Sequence, residues 1–157
     1  MPQILKTSKI IRVAIAAVAG TLLLVAFEGI TYAVIIPNLV EANRVSYDGL
    51  YREHPALVPL LLFNLLWATL LACFFEYWAD IRTFSRGAAA GAVIMGVIVI
   101  GINLGFIAFF NMLENVFLIV PVKVAFMAIT GAVTGGVIAV ILGWGNRKFV
   151  QQINRIN

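Results

Sequence analysis

Four long apolar runs, separated by short polar segments, make up most of this 157-residue chain. The runs cover Val13–Ile36, Val58–Trp78, Gly87–Phe110 and Phe117–Trp144. About 20 helical residues, at about 1.5 Å each, cross a bilayer core about 30 Å thick, and every run reaches that length. The pattern therefore predicts an all-α fold, in which residues 1–157 form a single integral membrane domain, a bundle of four transmembrane helices.

Composition supports this class, because 62% of the residues are hydrophobic and only 11% are charged, against about 25% charged in soluble domains. The net charge is +4, but the basic residues form no continuous face. We therefore predict contacts with membrane lipids, including bound lipid, and no nucleic-acid partner. The single cysteine, Cys73, lies within the second run and is interpreted as a small apolar filler.

The lysine and arginine residues predict the orientation. Eight of them lie at the termini and in the second connecting segment, whereas two lie in the first connecting segment and none in the third. The eight are Lys6, Lys9, Arg12, Arg82, Arg86, Arg147, Lys148 and Arg155, and the two are Arg44 and Arg52. Both termini should face the cytoplasm, with the protein in the bacterial inner membrane. The first run exceeds a signal-peptide core of about 7–15 residues, so we expect an uncleaved anchor.

The first connecting segment, about residues 37–57, is the longest and is expected on the outer surface, where long loops often carry function. It contains His54, the one histidine of the chain. His54 could supply one axial ligand to a haem or to the magnesium of a chlorophyll-type pigment, although an exposed loop residue is the simpler interpretation. The sequence lacks a phosphate-binding loop and ligand spacing for a metal. We predict no cofactor, no metal site and no catalytic residue.

Small residues at four-residue spacing let membrane helices approach closely. The third run contains two such pairs and the fourth run contains one. These glycines are Gly87, Gly91, Gly101 and Gly105 in the third run, and Gly131 and Gly135 in the fourth. We predict a tight antiparallel pair of the third and fourth helices along these positions. The alternative is that one pair on the third helix faces a partner subunit.

Each run also carries a polar residue at a similar depth, about 9–12 Å from the predicted outer end. These residues are Glu28, Asn64, Asn103 and Lys123. A charge at the bilayer centre costs about 2.5–3.5 kcal/mol. A single polar layer with a Glu28–Lys123 ion pair would offset part of that cost. Snorkelling of Lys123 to the interface and a working site are the alternatives.

Glu76 lies near the cytoplasmic end of the second run, within reach of Arg82 or Arg86. An interfacial salt bridge is the expected arrangement.

Two parts of the sequence resemble known families of membrane proteins. The segment Asn111-Met112-Leu113-Glu114-Asn115 resembles the Asn-x-x-Glu-Asn segment of the MAPEG family, small four-helix membrane enzymes that act on glutathione and lipids, although Gly101–Phe110 lacks the basic residues that accompany it there. Most of the chain resembles bacterial four-helix membrane proteins with no assigned activity. The matching stretches are Glu41-Ala42-Asn43, Arg52-Glu53-His54-Pro55 and Gly87-Ala88-Ala89-Ala90-Gly91-Ala92. This second resemblance implies the four-helix fold alone.

The expected function is that of a non-catalytic membrane subunit that packs against larger partner subunits and lipids, for example in a respiratory or photosynthetic complex. One alternative is a small oligomeric transporter or channel that uses Glu28 and Lys123. A second alternative, which follows from the resemblance at Asn111–Asn115, is a MAPEG-like membrane enzyme.

Overall fold

The computed structural model is all-helical in the residues it describes, which confirms the all-α part of the predicted fold class. It describes the backbone of residues 2–31, 33–34, 56–109 and 116–153, and the side chains of residues 9–31, 33–34, 56–109 and 117–144. The helices are α1 (Pro2–Ile30), α2 (Leu57–Phe74), α3 (Phe84–Phe109) and α4 (Val116–Ile153), and a π-helical turn, Phe75–Ala79, continues α2.

Four helical segments are long and apolar enough to cross a membrane. They are Lys9–Ile30, Leu57–Ala79, Phe84–Phe109 and Phe117–Trp144, with mean hydropathies of 2.2 to 2.5. This pattern suggests a multi-pass membrane protein, as predicted.

The helices α1 and α4 extend beyond their apolar runs into polar sequence. α1 begins at Pro2 rather than near Val13, and α4 continues to Ile153 rather than ending near Trp144. Proline is favoured in the first turn of a helix, because its missing N–H has no helical partner there. The residues after Trp144 include no proline, the residue that interrupts a helix most strongly.

Two segments singled out in the sequence lie outside the described residues. One is most of the first connecting segment, including His54, and the other is Asn111–Asn115. The expectations for a histidine ligand and for the MAPEG-like segment therefore remain predictions.

Helix α1 packs against both α2 and α4, whereas α3 packs mainly against α4. Gly87 of α3 lies against Gly135 of α4, and Gly91 lies against Gly131. Through these contacts the residue number increases along α3 while it decreases along α4, so the two helices are antiparallel. A Cβ at Gly91 would collide with the carbonyl oxygen of Gly131. The predicted tight contact of α3 and α4 is thus present at these four glycines.

The other two predicted packing glycines, Gly101 and Gly105, make no such contact. A Cβ added at either would have no described neighbouring atom within 4 Å. The buried residue in this part of α3 is Asn103. Residues two apart lie about 200° apart around a helix, so burial of Asn103 turns Gly101 and Gly105 outwards. Internal packing at these two positions was therefore a wrong expectation for the described part of the bundle.

The apolar core lies mainly in the half of the bundle where α1 begins and α4 ends. Its buried residues are small or aliphatic apart from Phe75, which lets the helices approach closely. They are Val13, Ala16, Ala17, Leu71, Ala72, Phe75, Ile138, Ala139 and Leu142. Cys73 packs against this cluster, which agrees with its interpretation as an apolar filler.

Candidate functional site

Two of the four residues of the predicted polar layer meet in the structure. The Asn64 side chain is buried, and its Nδ2 donates a hydrogen bond to Glu28 Oε2 at 2.6 Å. Asn64 Nδ2 also donates to the Leu60 carbonyl oxygen at 3.0 Å. The amide is therefore held by its own helix while it binds the carboxylate of α1. Glu28 and Asn64 form a polar link between α1 and α2.

Asn103 is buried as well, but its side chain is used locally. Its Nδ2 donates to the Val99 carbonyl oxygen of the preceding turn at 2.7 Å. This bond satisfies one N–H of the amide within α3 and holds the side chain against its own helix.

Lys123 is partly buried and forms no ion pair with Glu28 in the described part of the chain. The two residues also differ in depth within the bundle. The rings of Phe27 and Phe126 lie edge to face with centroids 6.2 Å apart, which places Glu28 level with Phe126. Lys123 lies about one turn closer to the start of α4. The expected Glu28–Lys123 pair and the single four-residue layer are therefore not formed.

A cavity of about 50 Å³ lies beside Glu28 and Asn64, lined by residues from all four helices. Much of its wall is aromatic or carries a thioether. These residues are Phe27, Phe63, Trp67, Met95, Phe126 and Met127. The polar residues of the wall are Glu28, Thr31, Asn64 and Thr130. A carboxylate thus faces a small space that is otherwise largely hydrophobic.

Two buried threonine hydroxyls on α4 have no hydrogen-bond partner among the described residues. They belong to Thr130, which is 2% exposed, and Thr134, which is fully buried. Helical threonines commonly donate to the carbonyl four residues earlier, as Thr31 does to Phe27 at 2.8 Å. Thr130 lines the cavity. Nothing in the sequence distinguishes Thr130 from an ordinary helical threonine, because the missing bond depends on the packing around it.

A second polar cluster lies about 24 Å away along α1, near its start. The Glu76 side chain is completely buried and pairs with two arginines. Arg82 Nη1 donates to Glu76 Oε2, and Arg12 Nη2 lies 3.5 Å from Glu76 Oε1. The expected salt bridge of Glu76 is confirmed, with Arg82 as one partner. The part played by Arg12 was missed, because α1 and α2 are distant in sequence.

The chain geometry after α2 positions Arg82. The π-helical turn Phe75–Ala79 ends at Asp80, which has a left-handed backbone with φ of 46°. Asp80 Oδ1 accepts a hydrogen bond from Arg82 Nε at 2.9 Å. Arg82 Nη1 also donates to the Leu142 carbonyl oxygen at 3.3 Å. Arg82 therefore fastens the segment between α2 and α3 onto α4.

The environment of Arg82 keeps its guanidinium charged. Burial alone would lower its pKa, but the hydrogen bonds and negative charges of Glu76 and Asp80 raise the pKa above its ordinary value. The cluster of two arginines and two carboxylates has no net charge when all four are ionised. A balanced cluster with side chains from α1, the π-helical turn and the segment after it fits a structural role.

Metal chemistry has no candidate among the described residues, since none of their histidine, cysteine, aspartate and glutamate side chains group in threes. The Glu28–Asn64 cavity is accordingly the better candidate for a functional site.

Comparison of the chain with protein-family models, with curated proteins and with solved structures found no match.

Proposed function

We propose that this chain is a non-catalytic subunit of the bacterial inner membrane that associates laterally with other membrane subunits through one face of α3. Both termini are proposed to face the cytoplasm, because eight basic residues lie on that side and two on the other. The single observation that supports association is the outward-facing pair Gly101 and Gly105.

Glycine is an unfavourable choice for a helix surface that meets only lipid. It costs about 0.5–1 kcal/mol per position relative to alanine in a helix interior. Within the bundle, close approach of α4 explains Gly87 and Gly91, but the described residues place nothing against Gly101 and Gly105. In membrane helices this spacing allows a second helix to approach closely. A helix from another subunit would give both glycines the contact that α4 gives the first pair.

The residues around Gly101 and Gly105 suit such a contact. Val97 and Leu104 are 62% and 60% exposed, and their spacing from Gly101 places them on the same side of α3. They would form ridges beside the groove that the glycines leave, which is the usual shape of a close helix crossing.

Replacement of both glycines by leucine tests this association. Leucine at Gly101 and Gly105 should fill the groove and release the partner subunits, while the monomer should stay folded because a Cβ at either position meets no described atom within 4 Å. Native gels and mass spectrometry of mildly solubilised membranes measure the assembly. Gly29→Leu is the matched control, since Gly29 on α1 also has open space around it. Migration of the wild type alone, or unchanged migration of the double variant, would contradict the proposal.

The cavity favours a second candidate, a small oligomeric transporter. Glu28 is an ionisable residue within a membrane-spanning segment, where such residues often mark an ion or substrate pathway. In that case Glu28→Gln should reduce monovalent-cation flux into proteoliposomes by an order of magnitude or more, about 1.4 kcal/mol per tenfold. Lys123→Met should have a smaller effect, since Lys123 does not line the cavity. Equal flux through wild type and Glu28→Gln would remove this candidate.

A further inference from the structure

We infer that the cavity beside Glu28 binds a small organic cation, an amine with a compact apolar body. This inference does not rest on the proposed association through α3, because the cavity is lined by residues of one chain. It rests on four features of the cavity: its carboxylate, its aromatic wall, its unpartnered hydroxyl and its size.

The carboxylate has one oxygen available. Glu28 Oε2 accepts the bond from Asn64, whereas Oε1 accepts none in the described part of the chain. A carboxylate in a low-dielectric bundle is stabilised by an opposite charge close to it. Lys123, on the neighbouring α4, does not supply that charge. A bound ammonium group beside Oε1 would supply it.

The wall of the cavity suits the apolar part of such a cation. Aromatic faces attract alkylammonium groups, most strongly at tryptophan, when the cation lies within about 6 Å of the ring centre. Phe27, Phe63, Trp67 and Phe126 line the cavity, and the rings of Phe63 and Trp67 stand nearly perpendicular at 78°. The negative ring faces that attract a cation repel an anion. Rings whose faces turn towards the cavity would therefore favour a cation over an anion.

Thr130 adds a polar group on the α4 side. Its buried hydroxyl has no partner among the described residues and lines the cavity. A hydroxyl oxygen can accept a bond from an N–H of a protonated amine. The Thr31 hydroxyl differs, because it already donates to the Phe27 carbonyl. A buried hydroxyl without a hydrogen bond destabilises the folded protein. An amine ligand that donates a hydrogen bond to Thr130 would remove this unfavourable free energy.

The size of the cavity limits the ligand. About 50 Å³ exceeds the space of about 10–15 Å³ that one water needs, but it is well below the volume of about 150 Å³ of a cavity that holds benzene, so the ligand is limited to a small cation. Isopropylammonium and tetramethylammonium are the smallest probes that combine a positive charge with a compact branched body. Phe63 and Ile102 line the cavity and are 50% and 46% exposed. The wall of the cavity therefore forms part of the bundle surface where these two residues lie.

Trp67 provides a direct reporter of binding. The other two tryptophans, Trp78 and Trp144, are 73% and 61% exposed and lie outside the cavity wall. Replacing both by phenylalanine leaves Trp67 as the only tryptophan in the full-length protein, and excitation at a wavelength that tyrosine does not absorb isolates its emission. Tetramethylammonium should then change the fluorescence saturably, whereas tert-butanol, which is neutral and similar in shape, should not. Glu28→Gln should weaken binding by about tenfold or more, equivalent to about 1.4 kcal/mol.

Matched variants separate the parts of the site. Asp80→Asn removes a carboxylate outside the cavity wall and should leave binding unchanged. Thr130→Val should weaken the binding of isopropylammonium, which carries N–H groups. It should leave the binding of tetramethylammonium unchanged, because that cation has no N–H group. Thr134→Val removes a similar buried hydroxyl that does not line the cavity, so it should change neither affinity.

Folding of each variant is checked by its helical circular dichroism. If Glu28→Gln does not fold, two further variants test the same inference. Glu28→Asp keeps the charge and should retain tetramethylammonium binding, whereas Val99→Phe fills the cavity from its wall and should abolish it. The inference is overturned if the wild type shows no saturable response to either cation. It is also overturned if a folded Glu28→Gln or Val99→Phe protein binds as tightly as the wild type.

Discussion

Replacing Glu76 by glutamine should destabilise the folded protein by about 3–5 kcal/mol, the cost typical of removing one partner from a buried ion pair. The Glu76 side chain is completely buried, and it carries the negative charge that both Arg12 and Arg82 contact. Glutamine keeps the shape and can still accept a hydrogen bond, but it leaves both guanidinium groups without that charge. The effect should therefore exceed that of any single change on the bundle surface.

Unfolding by SDS in mixed micelles, followed by circular dichroism, measures this loss. Asp80→Asn is the control, because Asp80 also pairs with Arg82 but its side chain is 83% exposed. Exposed pairs contribute at most about 1 kcal/mol, so the control should change stability little. Equal stability of Glu76→Gln and the wild type would show that the cluster does not hold this end of the bundle together.

Gly91→Ala should be the second strongly destabilising change, although it adds only one methyl group. The new Cβ would overlap the backbone carbonyl of Gly131, and a backbone carbonyl cannot turn aside as a flexible side chain can. Helices α3 and α4 would have to separate along their shared face. Overpacking of this kind costs about 1–3 kcal/mol. Because α3 packs mainly against α4, its position has little other support.

The same substitution at Gly101 is the matched control on the same helix. A Cβ there meets no described atom within 4 Å, and alanine is a better helix former than glycine by about 0.5–1 kcal/mol. Gly101→Ala should therefore leave the isolated protein unchanged or slightly more stable in the same SDS titration. Two variants of equal stability would mean that close approach at Gly91 does not determine how α3 packs.

Features that depend on neighbouring residues along the chain could be predicted from the amino-acid sequence alone. The length and apolarity of a run are local properties, so the sequence directly predicts four helices of membrane-spanning length. The contact at Gly87, Gly91, Gly131 and Gly135 is nearly as local, because four-residue spacing marks one helix face and consecutive helices usually pack together. The salt bridge of Glu76 with Arg82 was also predictable, since six positions separate them.

Features that join distant helices could not be derived in this way. Depth along a run predicted one layer from Glu28, Asn64, Asn103 and Lys123, yet only Glu28 and Asn64 meet. Whether polar side chains at similar depth meet depends on the rotation and axial position of each helix, which no single run reveals. The rotation of α3 is equally decisive, because it buries Asn103 and turns Gly101 outwards.

The amino-acid order thus specifies the helices, their number and the closest helix pair, because these follow from local hydrophobicity and from the size of side chains on one face. Tertiary packing selects the partners of the polar groups. It brings Arg12 to Glu76, leaves the Thr130 hydroxyl without a partner among the described residues and places Glu28 beside an aromatic cavity. Each of these depends on the axial offset and rotation of whole helices, which result from the summed contacts of many side chains rather than from any single residue.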